Sequence, residues 1–143
     1  MLYFCAMPRL LAIDYGRKRV GIAVTDNEQL IASGLTTVSS NDIFEFLSDY
    51  ISKEQVSCFI VGQAMNLDNT PSQSARFIEP FVKKLNTVFP QIDIHRVDER
   101  FSSKIAFQSM IDAGLKKKAR QNKALIDQVS ATIILQSYLD ARK

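Results

Sequence analysis

Acidic residues interrupt segments of this chain that are otherwise apolar. Asp14 ends the run Leu10–Ile13, Asp98 and Glu99 follow an alternating segment, and Asp127 falls within a helical pattern. A carboxylate is costly to bury unless it is paired, hydrogen-bonded or bound to a cation. If these carboxylates converge, one or two Mg²⁺ or Mn²⁺ ions would relieve their repulsion, because hard cations prefer oxygen ligands. Two such ions can activate a water and stabilise the leaving oxygen of a phosphodiester, so the acids favour chemistry on a phosphate ester.

Basic residues lie beside the first of these acids. Gly16 allows the backbone to leave the strand tightly, and three cations follow it directly: Arg17, Lys18 and Arg19. A second basic group contains no acid and precedes Asp127: Lys116, Lys117, Lys118, Arg120 and Lys123. Such a run is by itself more typical of a solvated loop. Because it lies close in sequence to Asp127, contact with a phosphate backbone is about as well supported as the solvated loop.

The apolar periodicity predicts the elements that must position these groups. The expected order is three strands, helix, strand, helix, strand, helix, helix. The hairpin spans Leu10–Asp26, and the later strands are Leu30–Val38, Val56–Val61 (closed by Gly62) and Gln91–Val97. The expected helices contain Ile43–Ile51, Ala75–Leu85, Ile105–Ile111 (capped by Ser102 and Ser103) and Lys123–Ala141. Pro80 either kinks the second of these helices or marks its first turn.

This order of elements predicts an α/β fold. An antiparallel meander followed by two crossovers gives a mixed five-stranded sheet with helices on both faces. Ligand sites are expected where strands end at one edge of such a sheet. On the last helix, Asp127 shares a stripe with Ala124, Ala131 and Ile134, and the small alanines would let this helix approach the sheet closely.

Composition bounds the class of protein. The chain has 143 residues, of which 46% are hydrophobic and 23% charged, and its formal net charge of +3 is too small to demonstrate a nucleic-acid partner. Its two cysteines, Cys5 and Cys58, are not spaced as a zinc site, and they suit a reducing compartment. Residues 1–8 are expected to be a poorly ordered extension, too short for a signal peptide or a membrane span. We therefore expect a single domain over residues 9–143, in the cytoplasm and without a membrane partner.

Three segments together resemble the YqgF (RuvX) family. Ile13–Asp26 is similar to the family's first signature, and Val97–Ser103 is similar to its second, which begins Asp-Glu-Arg. Ile126–Ala131, followed by Ile134–Leu139, resembles its C-terminal pattern. The resemblance covers nearly the whole chain. It implies an RNase H-like fold and an enzyme that hydrolyses the phosphodiesters of structured nucleic acid, as a metal-dependent endonuclease.

The resemblance also assigns residues to roles. It implies that Asp14, Glu99 and Asp127 are the catalytic acids and the ligands of Mg²⁺ or Mn²⁺. The phosphate contacts would come from Arg17, Lys18, Arg19, Arg100, Lys116, Lys117, Lys118 and Lys123. The role of Asp98 stays open, because adjacent strand residues point to opposite faces.

The sequence leaves three readings of the biological role open. The first is 5′-end processing of pre-16S rRNA in ribosome biogenesis, for which a monomer suffices. The second is Holliday junction resolution in DNA recombination and repair, where paired symmetric cuts favour a homodimer. A third reading is a nucleic-acid-binding adaptor without catalysis. An actin-like ATPase is disfavoured, because it needs two such lobes to enclose a nucleotide.

Each candidate residue also has a structural reading. Asp14 could accept hydrogen bonds from turn amides, Glu99 could pair with Arg96 or Arg100, and Asp127 could interact with the helix dipole. His95 is expected to be an ordinary strand residue rather than a ligand. Phe101, directly after the acids, is a candidate for stacking on a base.

Overall fold

A computed structural model of the chain describes residues 8–63, 75–98 and 123–142. The strands are β1 (Arg9–Tyr15), β2 (Arg19–Thr25), β3 (Ala32–Ser39), β4 (Val56–Gln63) and β5 (Asp93–Asp98). The helices are a 3₁₀ turn (Ser40–Asp42), α1 (Ile43–Lys53), α2 (Ala75–Val88) and α3 (Lys123–Arg142). The predicted helix around Ile105–Ile111 lies outside the described residues.

The five strands form one mixed sheet in the order β3-β2-β1-β4-β5. Strands β1, β2 and β3 pair antiparallel, whereas β4 and β5 run parallel to β1. The predicted antiparallel meander with added parallel strands is therefore confirmed. Since β1, β4 and β5 run in the same direction, their carboxyl ends share one edge of the sheet. We call this the carboxyl edge.

Alternation along the strands divides the core between two faces. Leu11 and Ile13 of β1 belong to the cluster that α1 and α2 cover, together with Phe59 and Val61 of β4. The intervening residues Leu10 and Ala12 belong to the cluster beneath α3, which contributes Ala131, Ile134, Leu135 and Leu139. Helices thus cover both faces of the sheet, as the sequence predicts.

Three of the later strands differ from the predicted bounds. β5 runs over Asp93–Asp98 rather than Gln91–Val97, and β3 and β4 differ for the following local reasons. β3 begins at Ala32 rather than Leu30, because the carboxylate of Asp26 accepts hydrogen bonds from the backbone N–H groups of Leu30 and Ile31, at 2.8 and 3.1 Å. These bonds fix a turn in which Gln29 has φ of 57°, and they lower the pKa of Asp26. β4 continues past the predicted closure at Gly62, because Gly62 and Gln63 still pair with Val97 and Asp98 of β5.

Pro80 lies inside α2, as the sixth residue of the helix. The position excludes the alternative that the proline marks the first residue of the first turn. Proline in a helix interior lacks the N–H that would bond to the residue four positions earlier. The buried side chains Ile78, Phe81 and Leu85 nevertheless keep the apolar stripe of α2 on the sheet.

Candidate active site

Asp14 is the next-to-last residue of β1 and therefore lies at the carboxyl edge. It pairs with Gly21 of β2 in the antiparallel ladder. It follows Leu10 and Ala12 at alternate positions, so its side chain belongs to the face that α3 covers. The position is partly buried.

Helix α3 makes its tightest approach to the sheet directly beside Asp14. A Cβ atom added at Gly21 would collide with the carbonyl oxygen of Asp127 and lie 3.1 Å from its Cβ. Opposed residues of an antiparallel pair have Cα atoms about 4.5–5.5 Å apart. Asp14 and Asp127 therefore both adjoin Gly21, one within the sheet and the other above it. The predicted juxtaposition of a strand-end acid and a helical acid occurs for these two residues.

Arg19 holds the carboxylate of Asp127. The Nε–H of Arg19 donates to Oδ2 of Asp127 at 2.8 Å. The side chain of Asp127 is 22% exposed, so this ion pair sits in a partly desolvated position where opposite charges interact more strongly than in water. Arg19 therefore orients a carboxylate, which the sequence analysis did not predict for it.

The turn that carries the basic residues is fixed by backbone contacts. The N–H of Gly16 donates to the carbonyl oxygen of Arg19 at 3.0 Å, and a Cβ at Gly16 would lie 2.7 Å from that oxygen. Ser40 holds the other side of the turn, donating from its N–H to the carbonyl oxygen of Lys18 at 3.0 Å and from its hydroxyl to that of Arg17 at 2.5 Å. The requirement for glycine at position 16 agrees with the sequence prediction of a tight turn.

The turn sends its arginines toward opposite faces of the sheet. Arg19 reaches Asp127 on the α3 face, whereas the guanidinium of Arg17 lies 4.6 Å from the ring centroid of Phe77 on α2. Lys18, between them, is exposed. Arg100, Lys116, Lys117 and Lys118 lie outside the described residues, as does the side chain of Lys123.

The other strand-end acids belong to the end of β5. Asp98 is its last residue, exposed, and pairs with Gln63 at the carboxyl edge. It lies two positions after Arg96, which bonds to Glu79 of α2, so Asp98 belongs to the face opposite Asp14. Glu99, the next residue, lies outside the described residues. Arg96 donates to both carboxylate oxygens of Glu79 at 2.8 Å, and the alternative pairing of Glu99 with Arg96 stays a prediction.

The donor chemistry at this edge suits a hard divalent cation. Asp14 and Asp127 supply carboxylate oxygens, the ligands that Mg²⁺ and Mn²⁺ prefer. Over residues 8–63, 75–98 and 123–142, however, no group of three or more His, Cys, Asp or Glu side chains could hold a metal ion. A third carboxylate, the role that the family resemblance implies for Glu99, would have to come from outside these ranges.

Other candidates lie away from these acids. His95 is exposed and lies edge-on to Tyr138, with ring centroids 5.4 Å apart. Cys58 is buried in β4, and desolvation raises the pKa of its thiol to about 12. Neither residue approaches Asp14. Phe101, the predicted stacking residue, lies outside the described residues.

Phe77 is an aromatic residue that the sequence analysis missed. It is 37% exposed on α2, beside Arg17. The sequence does indicate that Phe77 is exposed, because it lies off the apolar stripe that Ile78, Phe81 and Leu85 form on α2.

Comparison with known proteins places this site in a family. The profile of the family described as "RuvX: Holliday junction resolvase" matches residues 8–141. The chain belongs to the RuvX family. This membership confirms the resemblance seen in the three sequence motifs.

Curated relatives of this RuvX protein align over almost their entire length. A protein of Flavobacterium psychrophilum is 59% identical over 133 residues, covering 93% of this chain and 97% of the relative. A protein of Bacteroides thetaiotaomicron is 52% identical over 137 residues, covering 96% and 99%. Both carry the name "Putative pre-16S rRNA nuclease".

The fold of this RuvX protein is shared with a solved structure of another protein. The structure of "T. thermophilus RuvC in complex with Holliday junction substrate" matches with a TM-score of 0.55 at 14% identity, covering 94% of this chain and 95% of that chain. At this identity the likeness shows a common fold, which confirms the RNase H-like architecture. None of the described helices is long and apolar enough to cross a membrane.

Proposed function

We propose that this protein is an endonuclease that uses a divalent cation to hydrolyse phosphodiesters, with the 5′ segment of pre-16S rRNA as its substrate. The observation that carries the proposal is the convergence of Asp14 and Asp127 at Gly21. Arg19 pairs with the carboxylate of Asp127, and a cation bound beside Gly21 would give both carboxylates a shared ligand. The names of the full-length relatives support the substrate, and the family and fold support the reaction class.

The proposal gives each residue a distinct role. Asp14 and Asp127 would hold one or two Mg²⁺ or Mn²⁺ ions, with Glu99 as the third ligand, and the bound cation would supply activation of water and neutralisation of charge on the phosphate. Arg19 is a positioning residue that fixes the rotamer of Asp127. Arg17 and Lys18 lie on the same turn and would bind the phosphates of the nucleic acid, which makes the turn a clamp beside the cleaved bond.

Resolution of four-way DNA junctions is the second candidate. It is favoured by the description of the family and by the common fold with a resolvase. A resolvase cuts two strands symmetrically and would act as a homodimer, whereas trimming an rRNA end needs a monomer. We favour the RNA substrate and a monomer in the cytoplasm.

Cleavage of two labelled substrates tests the proposal. Purified protein is incubated with a 16S rRNA precursor 5′ segment and with a four-way DNA junction, in Mn²⁺, in Mg²⁺ and in excess chelator. Asp14→Asn and Asp127→Asn should each lower cleavage at least about 100-fold while leaving binding intact, because the amide keeps the shape and loses the charge. Asp49→Asn is the matched control, since Asp49 is an exposed acid on α1 paired with Lys53.

The outcomes separate the candidates. RNA cleavage that requires both the cation and Asp14 supports the proposal. Paired symmetric nicks in the junction, with intact RNA, would replace it by the resolvase. Binding of both substrates without cleavage would leave an adaptor, and cleavage that persists in excess chelator would overturn the role of the carboxylates as metal ligands.

A further inference from the structure

An exposed aromatic side chain stands on the opposite face of the sheet from Asp14. Phe77 is the third residue of α2 and is 37% exposed, while the rest of its helix turns the apolar stripe inward. An isolated exposed apolar residue needs no explanation. Phe77 differs because cations surround it. The guanidinium groups of Arg17 and Arg76 lie 4.6 and 5.8 Å from its ring centroid.

The fold orders the backbone and the aromatic side chains next to Phe77 and Arg17. Beneath them, Tyr15 stacks on Phe81 with ring centroids 4.2 Å apart and an interplanar angle of 12°. The backbone of Arg17 is fixed by the Ser40 hydroxyl. A surface whose groups are already ordered loses little conformational entropy when a ligand binds.

The space at this pair excludes an enclosed ligand. A cleft of about 80 Å³ is lined by Tyr15, Gly16, Arg17, Phe77 and Ile78. Pockets that enclose a small molecule measure about 300–1,000 Å³. A planar group would therefore lie on the exposed side of the pair rather than inside the cleft.

Phe77 and Arg17 lie close to Asp14, where the proposed function places the cleaved nucleic-acid strand. Arg17 follows Asp14 by three residues, a span of at most about 11 Å even in a fully extended backbone. A nucleic-acid strand with its scissile phosphate at Asp14 would cross the carboxyl edge and bring a neighbouring nucleotide to Phe77.

We propose that Phe77 and Arg17 form a stacking platform for an unpaired nucleobase next to the scissile phosphate. The face of the Arg17 guanidinium would stack on the base while its N–H edge binds a phosphate, and Arg76 would bind the adjoining backbone. The inference rests on the proposed function and defines its substrate more closely. Bases stack well on aromatic rings and on guanidinium planes, but a base within a duplex is already stacked on its neighbours. The platform therefore selects a single-stranded segment.

Binding measured in excess chelator tests the platform without cleavage. The probes are a short single-stranded RNA containing 2-aminopurine, the same RNA with an abasic site there, and a duplex. Phe77→Leu should weaken single-strand binding about 5- to 150-fold, the range for losing one base–aromatic stack. Phe77→Tyr keeps the aromatic ring and should bind the single strand as wild type does. Arg17→Lys, which keeps the charge and removes the planar guanidinium, should also weaken it.

A matched control comes from the same helix. Val88→Ala shortens another exposed apolar side chain of α2, 43% exposed and at the far end from Arg17, and it should leave binding unchanged. The abasic RNA should bind wild type and Phe77→Leu equally. Thermal unfolding of each variant confirms that it is folded.

Two results would overturn the platform. One is unchanged single-strand affinity in Phe77→Leu, and the other is an equal loss for single strand, abasic strand and duplex. Failure of the proposed function looks different: a platform-dependent affinity with no cleavage in Mn²⁺ would keep the platform and remove the nuclease. If wild type binds none of the probes, the platform fails, and the proposed function is still decided by the cleavage assay in Mn²⁺.

Discussion

At the scale of single residues, Arg96 links three elements next to the site. Its guanidinium donates to both carboxylate oxygens of Glu79 at 2.8 Å, and to the carbonyl oxygens of Val61 and Gly62 at 3.2 Å. These bonds join β5 to α2 and to the end of β4. The hydrogen bonds from Arg96 lower the pKa of Glu79, against the smaller opposing effect of burial. Since Glu79 lies two residues after Phe77, the same bonds fix the start of α2.

We expect the contribution of this ion pair to stability to depend on pH. Because the pKa of Glu79 is lowered in the folded protein, the contribution is complete above the unfolded-state value of about 4.3 and is lost as pH falls through the lowered pKa. Glu79→Gln should lower the free energy of unfolding by at most about 1 kcal/mol at neutral pH, since the Glu79 side chain is 45% exposed.

Urea unfolding of wild type and Glu79→Gln over a range of pH measures this gap in stability. The gap should close in acid. Glu45→Gln, a change at an exposed acid of α1, provides the control. A gap that stays constant down to pH about 3 would contradict the assignment of the effect to the Glu79 charge.

Residue types drew attention to Asp14 and Asp127 in advance, because a carboxylate within an apolar pattern needs a reason wherever it folds. The structure places both residues next to Gly21, and their catalytic role stays a prediction. The partners of Arg19, Arg96 and Phe77 could not be predicted from the sequence, because each partner is set by which elements lie side by side in the fold. The roles of Glu99 and the Lys116–Lys118 group stay predictions, because these residues lie outside the described ranges.

At the scale of elements, glycines decide how closely α3 approaches the sheet. Gly21 admits the backbone of Asp127, and a Cβ at Gly34 of β3 would lie 3.3 Å from Oγ1 of Thr132. The hydroxyl of Thr37 donates to the carbonyl oxygen of Ala124 at 2.6 Å and fixes the first turn of α3. The sequence analysis credited the alanines of α3 with this close packing. Ala131 is indeed fully buried, but the space for Asp127 comes from the strand side.

Gly21→Ala should therefore move α3 and lower both stability and cleavage. The added methyl group meets backbone atoms that cannot rotate away, so we expect a loss of about 1–3 kcal/mol in the free energy of unfolding. Gly34→Ala is the matched change, because its nearest neighbours are side-chain atoms at 3.3–3.5 Å that can adjust.

Urea unfolding and the cleavage assay together check this pair of variants. Gly21→Ala should lose cleavage under conditions where it is still folded, whereas Gly34→Ala should retain most of it. Equal activity in the two folded variants would show that Asp127 does not depend on the gap at Gly21.

The order of elements was predictable because each segment carries its own period of apolar residues. The first and last residues of the elements were less predictable than their order. The ends of β3 and β4 are set by the Asp26 turn and by pairing across strands, and neither depends on the apolar pattern of the segment itself.

At the scale of the whole molecule, the arrangement of charge matters more than its total. The net charge is +3, yet Arg17 and Lys18 on the turn and Arg19 at the start of β2 stand together at the carboxyl edge. Phosphate contacts release counterions, so binding to a single strand should weaken with salt at a logarithmic slope of about −0.7 per phosphate neutralised.

Lys18→Gln should reduce that slope by about 0.7, the effect of one lost phosphate contact, without changing the preference between sequences. Lys53→Gln removes an exposed lysine at the end of α1 and should leave the slope as it is. Fluorescence anisotropy at several salt concentrations measures both. An unchanged slope for Lys18→Gln would exclude Lys18 from the phosphate-binding surface.

The ion pair between Arg19 and Asp127 joins residues 108 positions apart in the chain. Translation completes the β1–β2 hairpin early, and among the described elements α3 is made last. Asp127 can take its place beside Gly21 only after α3 has been made and has packed on the hairpin. On the proposed function, a nascent chain would therefore carry no competent site until α3 has docked.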